Sequence, residues 1–238
     1  MRWLLTLFRL VLMTVTNIPF SIVALISLPF QKNGGIYFWA GSTWSRFVLW
    51  ISNVKVTTAG LENLDRNGNF IIVSNHASFY DIPTLMTLFP RMRIMFKKEL
   101  SYIPLWGWAL KYGHHILVDR KRGAEAMKSL DRAAAAIREG GQVLLFAEGT
   151  RTRDGKLQPF KRGAFALAVK SGVPILPVAI NGSYLIMPKG SFDIRPSQIT
   201  AVFGSLIATA GKSTREDEMK LMNDAYEVIS KNFRESTP

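Results

Sequence analysis

Residues 70–81 read FIIVSNHASFYD. Four large apolar residues in a row, Phe70 to Val73, would line both faces of a strand, so both faces must be covered. That is the condition of a parallel sheet packed between helices, not of a sheet with one wet face. The apolar run stops at Ser74-Asn75-His76. Asp81 and Pro83 then suit the first turn of a helix, where an acidic side chain meets the helix dipole and proline loses nothing. The stretch therefore reads as buried strand, turn and helix, with His76 in the turn.

The neighbouring segments follow the same alternation. NVKVTT (53–58), HILVDR (115–120), QVLLFA (142–147), VPILPVAI (173–180) and ITAVFG (199–204) read as strands, and 81–89, 124–139, 162–171 and 215–233 as helices. Gly140-Gly141 ends the second of these helices. Strands alternating with helices predict an α/β fold with a mostly parallel central sheet flanked by helices. Sites in such sheets lie beyond the carboxyl ends of the strands. His76, Arg120 and Glu148 each fall just past such an end.

Two readings of His76 stand side by side. Five residues on one helix would separate His76 and Asp81 by about 140°, so they share no helix face. With His76 in the preceding turn, Asp81 can reach back to one imidazole nitrogen and leave the other to accept a proton from a hydroxyl. The alternative is a histidine and a cap that only stabilise the turn. The stretch FAEGTRTRDG (146–155) offers a second pair of readings. Arg151, Arg153 and Lys156 after a glycine suit phosphate recognition, whereas a solvated loop ending in an Asp154-Gly155 turn is the plain alternative. Lys97 in FKKEL (96–100) and Arg120 in VDR (118–120) add cations near the same edge. No G-x-S-x-G elbow occurs, so a serine nucleophile has no support. With no cysteine and only three histidines, a metal centre has little to build on.

The chain carries a net charge of +13 in 238 residues, with 48% hydrophobic residues. That balance points to an acidic partner, and no nucleic-acid-binding signature accompanies it. The front end points to a membrane. After Arg9 the stretch Leu10–Phe30 holds no charged residue and as a helix would be roughly 31 Å long. Asn17, Pro19 and Pro29 interrupt it. A single span, a hairpin bent at Asn17 and Pro19, and a cleaved signal peptide all remain open. Tyr37-Phe38-Trp39, Trp44 and Trp50 suit the membrane–water boundary, with an ordinary aromatic core helix as the plain alternative. The expected organisation is a membrane anchor and interfacial helix over 1–50 and an α/β domain over 51–238.

Taken in order, NHASFYD (75–81), FKKEL with VDR, FAEGTRT (146–152) and VPILPVAI (173–180) resemble the glycerolipid acyltransferase family, specifically its bacterial 1-acylglycerol-3-phosphate acyltransferases. GLENL (60–64) resembles the family's lead-in. The likeness covers roughly residues 50–205. One departure is Ala147, where the family usually has proline, which is expected to loosen the strand exit. The resemblance implies that His76 is the general base and Asp81 its support. It implies that Lys97, Arg120 and Arg151 hold the phosphate of an anionic lysophospholipid, with Glu148, Gly149 and Thr150 shaping the pocket. It further implies no cofactor beyond an acyl-CoA or acyl-carrier-protein co-substrate, no nucleic-acid partner, and a place on the cytoplasmic face of the inner membrane. Another lysolipid or glycerol-3-phosphate as acceptor, a lysophospholipase, and a lipid-binding protein with a dead site stay open on sequence alone. So do the donor carrier, acyl-chain length and oligomeric state.

Overall fold

The computed structural model describes residues 2–118 and 124–236. Strand β2 (Phe70–Ser74) is buried at every position. Its alternation sorts the core into two layers. Phe70 and Ile72 pack with Val48, Leu85 and Phe89 on one face of the sheet. Ile71 and Val73 pack with Ala134, Ile137, Phe165 and Leu221 on the other. β2 pairs in parallel with β5 (Gln142–Phe146) on one side and with β6 (Ile175–Asn181) on the other. Beyond β5 lie β3 (Arg93–Lys97) and β4 (Ile116–Val118), also parallel. Beyond β6, β7 (Gln198–Phe203) runs antiparallel, and β1 (Lys55–Ala59) follows β7 at the edge. The order is β1-β7-β6-β2-β5-β3-β4. The sheet is mostly parallel and covered by helices, as the apolar run at 70–73 demands.

Helix α2 (Gly35–Ile51) and α3 (Asp81–Leu88) cover the first face. The second face is covered by α5 (Ala124–Arg138), α6 (Arg162–Ser171) and α8 (Arg215–Asn232). α8 starts with a capping box in which Thr214 and Asp217 satisfy each other's backbone N–H. Short helices α4 (Trp106–Tyr112) and α7 (Ser183–Ile186) sit at the ends of strands.

The front end is one helix, α1 (Arg2–Ser27), with Pro19 inside it. Its 26 residues extend about 39 Å. The hairpin at Asn17 and Pro19, one of the three readings of this stretch, is not formed, since the helix continues through both residues. The chain reverses later, over 28–34, where Gly34 takes a positive φ of 63°. A proline removes one helix hydrogen bond but does not end a helix that is packed along its length. Thr6, Arg9, Met13, Ser21, Ala24 and Ser27 form the buried line of α1. α1 packs on α2 and α4, and Trp44 of α2 donates its indole N–H to the Met13 carbonyl at 3.3 Å. Met13, Val48 and Leu49 share a core with Tyr80 and Phe89 across residue 50.

Arg9 is the tether of the buried line. It is 8% exposed, and its guanidinium donates to the Ile51 carbonyl at 3.0 Å and the Ile194 carbonyl at 3.5 Å. Arg9→Met keeps the length and removes both bonds. The expected loss is about 2 kcal/mol, the scale for bonds from a charged donor. It is read as a lower melting temperature in detergent with new proteolytic cleavage before residue 35. An unchanged melting curve and cleavage pattern would refute the tether.

Candidate active site

The register of the sheet builds the site. Ser74 stands opposite Phe146 at the last pair of β2 and β5. His76 and Glu148, each two residues further on, thus leave the same edge side by side. The two turns are stitched together by backbone bonds, from Ala147 N–H to Ser74 O at 3.2 Å and from Thr152 N–H to His76 O at 2.8 Å. Asn75 ties the exit of β2 to β6. Its side chain donates to the Ile180 carbonyl at 2.9 Å and accepts the Ile180 N–H at 2.8 Å, copying a strand's own pattern.

His76 Nδ1 lies 2.8 Å from Asp81 Oδ2. The same oxygen accepts the N–H groups of Ala77 at 2.8 Å and Ser78 at 2.9 Å. An oxygen already receiving two backbone donors acts as acceptor to the third, so Nδ1 carries a proton, and in the neutral ring the lone pair is left on Nε2. Asp81 is fully buried, while the imidazole is 16% exposed and lines a cavity. Phe146 stacks on the imidazole at 3.7 Å between centroids and 7° between planes, which fixes the ring's plane. Position, tautomer and tilt of the histidine are all held by the fold. The other two histidines serve packing. His114 and His115 lie against Tyr37 at 5.4 Å, and burial, aided by His114 and Arg93, drives His115 down to about 3.

The cavity measures about 1040 Å³. It runs from α1, α2 and α4, where Phe20, Phe38, Trp44 and Leu110 line it, past Phe79 and His76 to a polar end. Gly149, Thr150 and Arg151 line that end, as does Lys97 from the exit of β3. Gly149 has a positive φ of 75°, which permits the tight turn after β5. The expected Asp154-Gly155 turn is present. Asp154 Oδ1 accepts from Thr152 Oγ1 and the Lys156 N–H, and these bonds hold its carboxyl below the usual range. Lys161 and Lys189 also line the cavity, and sequence reading missed both.

Two expected site residues stand apart. Arg120 lies outside the described residues. Glu148 does not line the cavity: it is 3% exposed, behind the turn, and its Oε1 accepts the Gln158 N–H at 3.3 Å. Its Oε2 has no hydrogen-bond partner among the described residues. Burial pushes Glu148 up to about 8, against the pull of the Gln158 and His76 N–H groups, with Asp81 and Asp154 adding to the rise. Glu148, expected to help shape the pocket, is a buried bracket between the His76 turn and the 152–158 loop, and its raised value favours the neutral form.

A family model described as Acyltransferase matches residues 55–181, more than half of the chain. The chain belongs to the acyltransferase family. It is 34% identical over 225 residues to "1-acyl-sn-glycerol-3-phosphate acyltransferase" of Limnanthes douglasii, covering 92% of this chain and 78% of that protein. The protein of the same name from Pseudomonas aeruginosa is 34% identical over 89% of this chain and 82% of its own length. Among solved structures, the 1-acyl-sn-glycerophosphate (LPA) acyltransferase PlsC of Thermotoga maritima superposes with a TM-score of 0.83 at 27% identity. That match covers 97% of this chain and 94% of that one. This acyltransferase therefore shares fold and topology with an enzyme of the same family along almost its whole length.

The neutral state of Glu148 has a pH signature. Its folded value near 8 exceeds the ordinary 4.5, so between them the folded state binds more protons. Stability must then fall as pH rises from about 4.5 to about 8. Glu148→Gln removes that slope. Melting temperatures should agree near pH 5 and diverge by pH 8.5, with the glutamine variant the higher. Parallel curves would sink the assignment.

Proposed function

We propose that this acyltransferase moves an acyl chain from an acyl thioester to the 2-hydroxyl of 1-acyl-sn-glycerol-3-phosphate, giving phosphatidic acid. The observation that carries the reading is one cavity, apolar at the helices and cationic at Arg151, with the His76 imidazole between. An amphiphile with a phosphate head suits those two ends. Nε2 of His76 takes the hydroxyl proton as the oxygen attacks the thioester carbon. The C–O bond forms, the C–S bond breaks, and the proton passes to the leaving sulfur to give the free thiol. Asp81 holds the imidazole through Nδ1 and faces the positive charge that develops on the ring. Lys97 and Arg151 hold the acceptor's phosphate, with Arg120 as a third candidate. Gly149 and Thr150 shape that end. No metal is needed for these steps. The donor is acyl-CoA or acyl-acyl carrier protein.

The test is an assay of the full chain in mixed micelles. It offers lysophosphatidate, glycerol-3-phosphate and a zwitterionic lysolipid, each with both donor types, and identifies the product lipid. Phosphatidic acid is expected, and His76→Ala should lower turnover by at least ~10²-fold. Free fatty acid without a new diacyl lipid would replace this reading with a hydrolase. Near-normal turnover of His76→Ala would end the role of that residue as base.

We also propose that α1 and α2 seat the enzyme on the cytoplasmic leaflet of the cell's inner membrane and do not thread it through. α1 has the length and apolar content to cross a bilayer. Its buried line nevertheless packs on the rest of the chain from Thr6 to Ser27, so it would have to tear away to cross. Its other side exposes Trp3, Phe8, Val11, Ile22 and Ile26, and α2 adds Trp39 and Trp50. Such a contiguous apolar face marks a membrane surface. Trp3→Ser, Phe8→Ser, Trp39→Ser and Trp50→Ser combined should lower binding to anionic vesicles at least ~10-fold while activity on micellar substrate persists. Full vesicle binding by that variant would place the attachment elsewhere.

A further inference from the structure

Two lysines at the polar end belong to none of the sequence motifs. Lys161 precedes α6, and its backbone N–H is fixed to the Ala147 carbonyl at 2.8 Å. Its side chain lies over Gly149, with Nζ 3.1 Å from where a Cβ on that glycine would stand. Lys189, after α7, donates from Nζ to the Arg151 carbonyl at 3.2 Å. An ammonium has three protons, so Lys189 keeps two for other partners. Both lysines line the cavity together with His76 and Arg151. Neither is paired with a carboxylate among the described residues, and Arg151 is likewise unpaired. Glu99 is the carboxylate among the lining residues of the cavity, and the two acidic groups of the 148–154 turn are committed elsewhere. Glu148 is turned inward, and Asp154 is taken by Thr152 and Lys156. Like charges gathered on one stretch of backbone repel, and an anion among them relieves the repulsion.

Gly163 supplies an independent observation. It is the second residue of α6, it lines the same cavity, and a Cβ built there would meet no atom within 4 Å. Its φ lies outside the range that favours glycine. Glycine in a helix is less stable than alanine, and nothing in the fold calls for it at this position. Gly163 is exposed, so the open space beside it is the solvent-facing mouth of the cavity, where a headgroup has room.

Building on the acyltransferase reading, we propose that Lys161 and Lys189 close with Arg151 on one phosphate group, and that Gly163 leaves the room for it. Three cations suit a phosphate monoester, which carries close to two negative charges and three acceptor oxygens. The acceptor lipid carries such a group, and a coenzyme A or phosphopantetheine donor carries phosphates as well. Steady-state kinetics on the full chain in micelles, varying acceptor and donor in turn, separates the two sources. Lys161→Gln and Lys189→Gln should each raise one KM about 10-fold with kcat within about threefold, and Lys161→Arg should restore most of it. A raised acceptor KM assigns the lipid headgroup. A raised donor KM that vanishes with a phosphate-free acyl thioester assigns the donor. Gly163→Ala should raise the same KM without lowering the melting temperature. Both KM values unchanged in the double lysine variant, or a fall in kcat alone, would overturn the grip while leaving the acyltransferase reading intact. Wild-type enzyme that acylates no phosphate-bearing acceptor would fail that reading instead.

Discussion

Asp81 carries the site because it is a buried carboxyl group that has to be satisfied within a turn. The β2 ladder ends at Ser74, yet of the next six residues four are buried and His76 and Phe79 are half-buried, and each buried polar group needs a partner. One oxygen of Asp81 serves Ala77, Ser78 and His76 together. The rest of the turn is held from outside: Asn75 by Ile180, the His76 carbonyl by Thr152, and the Ser78 hydroxyl by the Met187 carbonyl. Three separate elements therefore converge on a single turn. Removing any one would let the imidazole drift from the position these bonds define.

The second constraint is the match between an amphiphilic site and its surroundings. The apolar part of the cavity is walled by the same helices whose outer sides are exposed and apolar. A lipid chain entering there need not cross water. The cationic end lies at the carboxyl edge of the sheet, where the last residue of β3, the loop after β5 and the segment after α7 each supply a basic residue. Between them the imidazole meets the boundary of both regions. Under the proposed function, fold, charge and the apolar outer face together favour one orientation for a substrate.

Much of this was legible in the residues. The run Phe70–Val73 is apolar at every position, and only a strand covered on both faces accommodates that. The spacing of His76, Asp81 and Pro83 places the turn and the helix start by chemistry that tertiary packing does not override. Other parts were illegible for equally physical reasons. RIMFK of β3 has basic ends and only Ile94 and Phe96 fully buried, so its short alternation carries little signal. WGWALKY of α4 is seven residues, too short for a helical period to register. Pro19 suggested a bend because its cost is local, whereas the packing that keeps α1 continuous is long-range. Glu148 sits in a motif rich in phosphate-binding chemistry. Only the side chain's direction, which sequence does not encode locally, separates a bracket from a ligand. Lys161 and Lys189 come from segments far apart in sequence and meet only across the turn at 149–151.

Ala147 shows how a departure from a family pattern can be read once the backbone is known. The proline usual in the family was expected to stiffen the exit of β5, and its loss to loosen it. Alanine, however, has an N–H, and here that group donates to the Ser74 carbonyl at 3.2 Å. Its own carbonyl accepts from Lys161 at 2.8 Å. A proline could keep the second bond and not the first. The exit is therefore restrained in this chain by one more rung of the β2–β5 ladder instead of by a ring that fixes φ. The rung lies between the strand that leads into His76 and the strand that leads into Glu148. What proline achieves through one residue's conformational entropy, alanine achieves by coupling the two turns that form the site directly to each other.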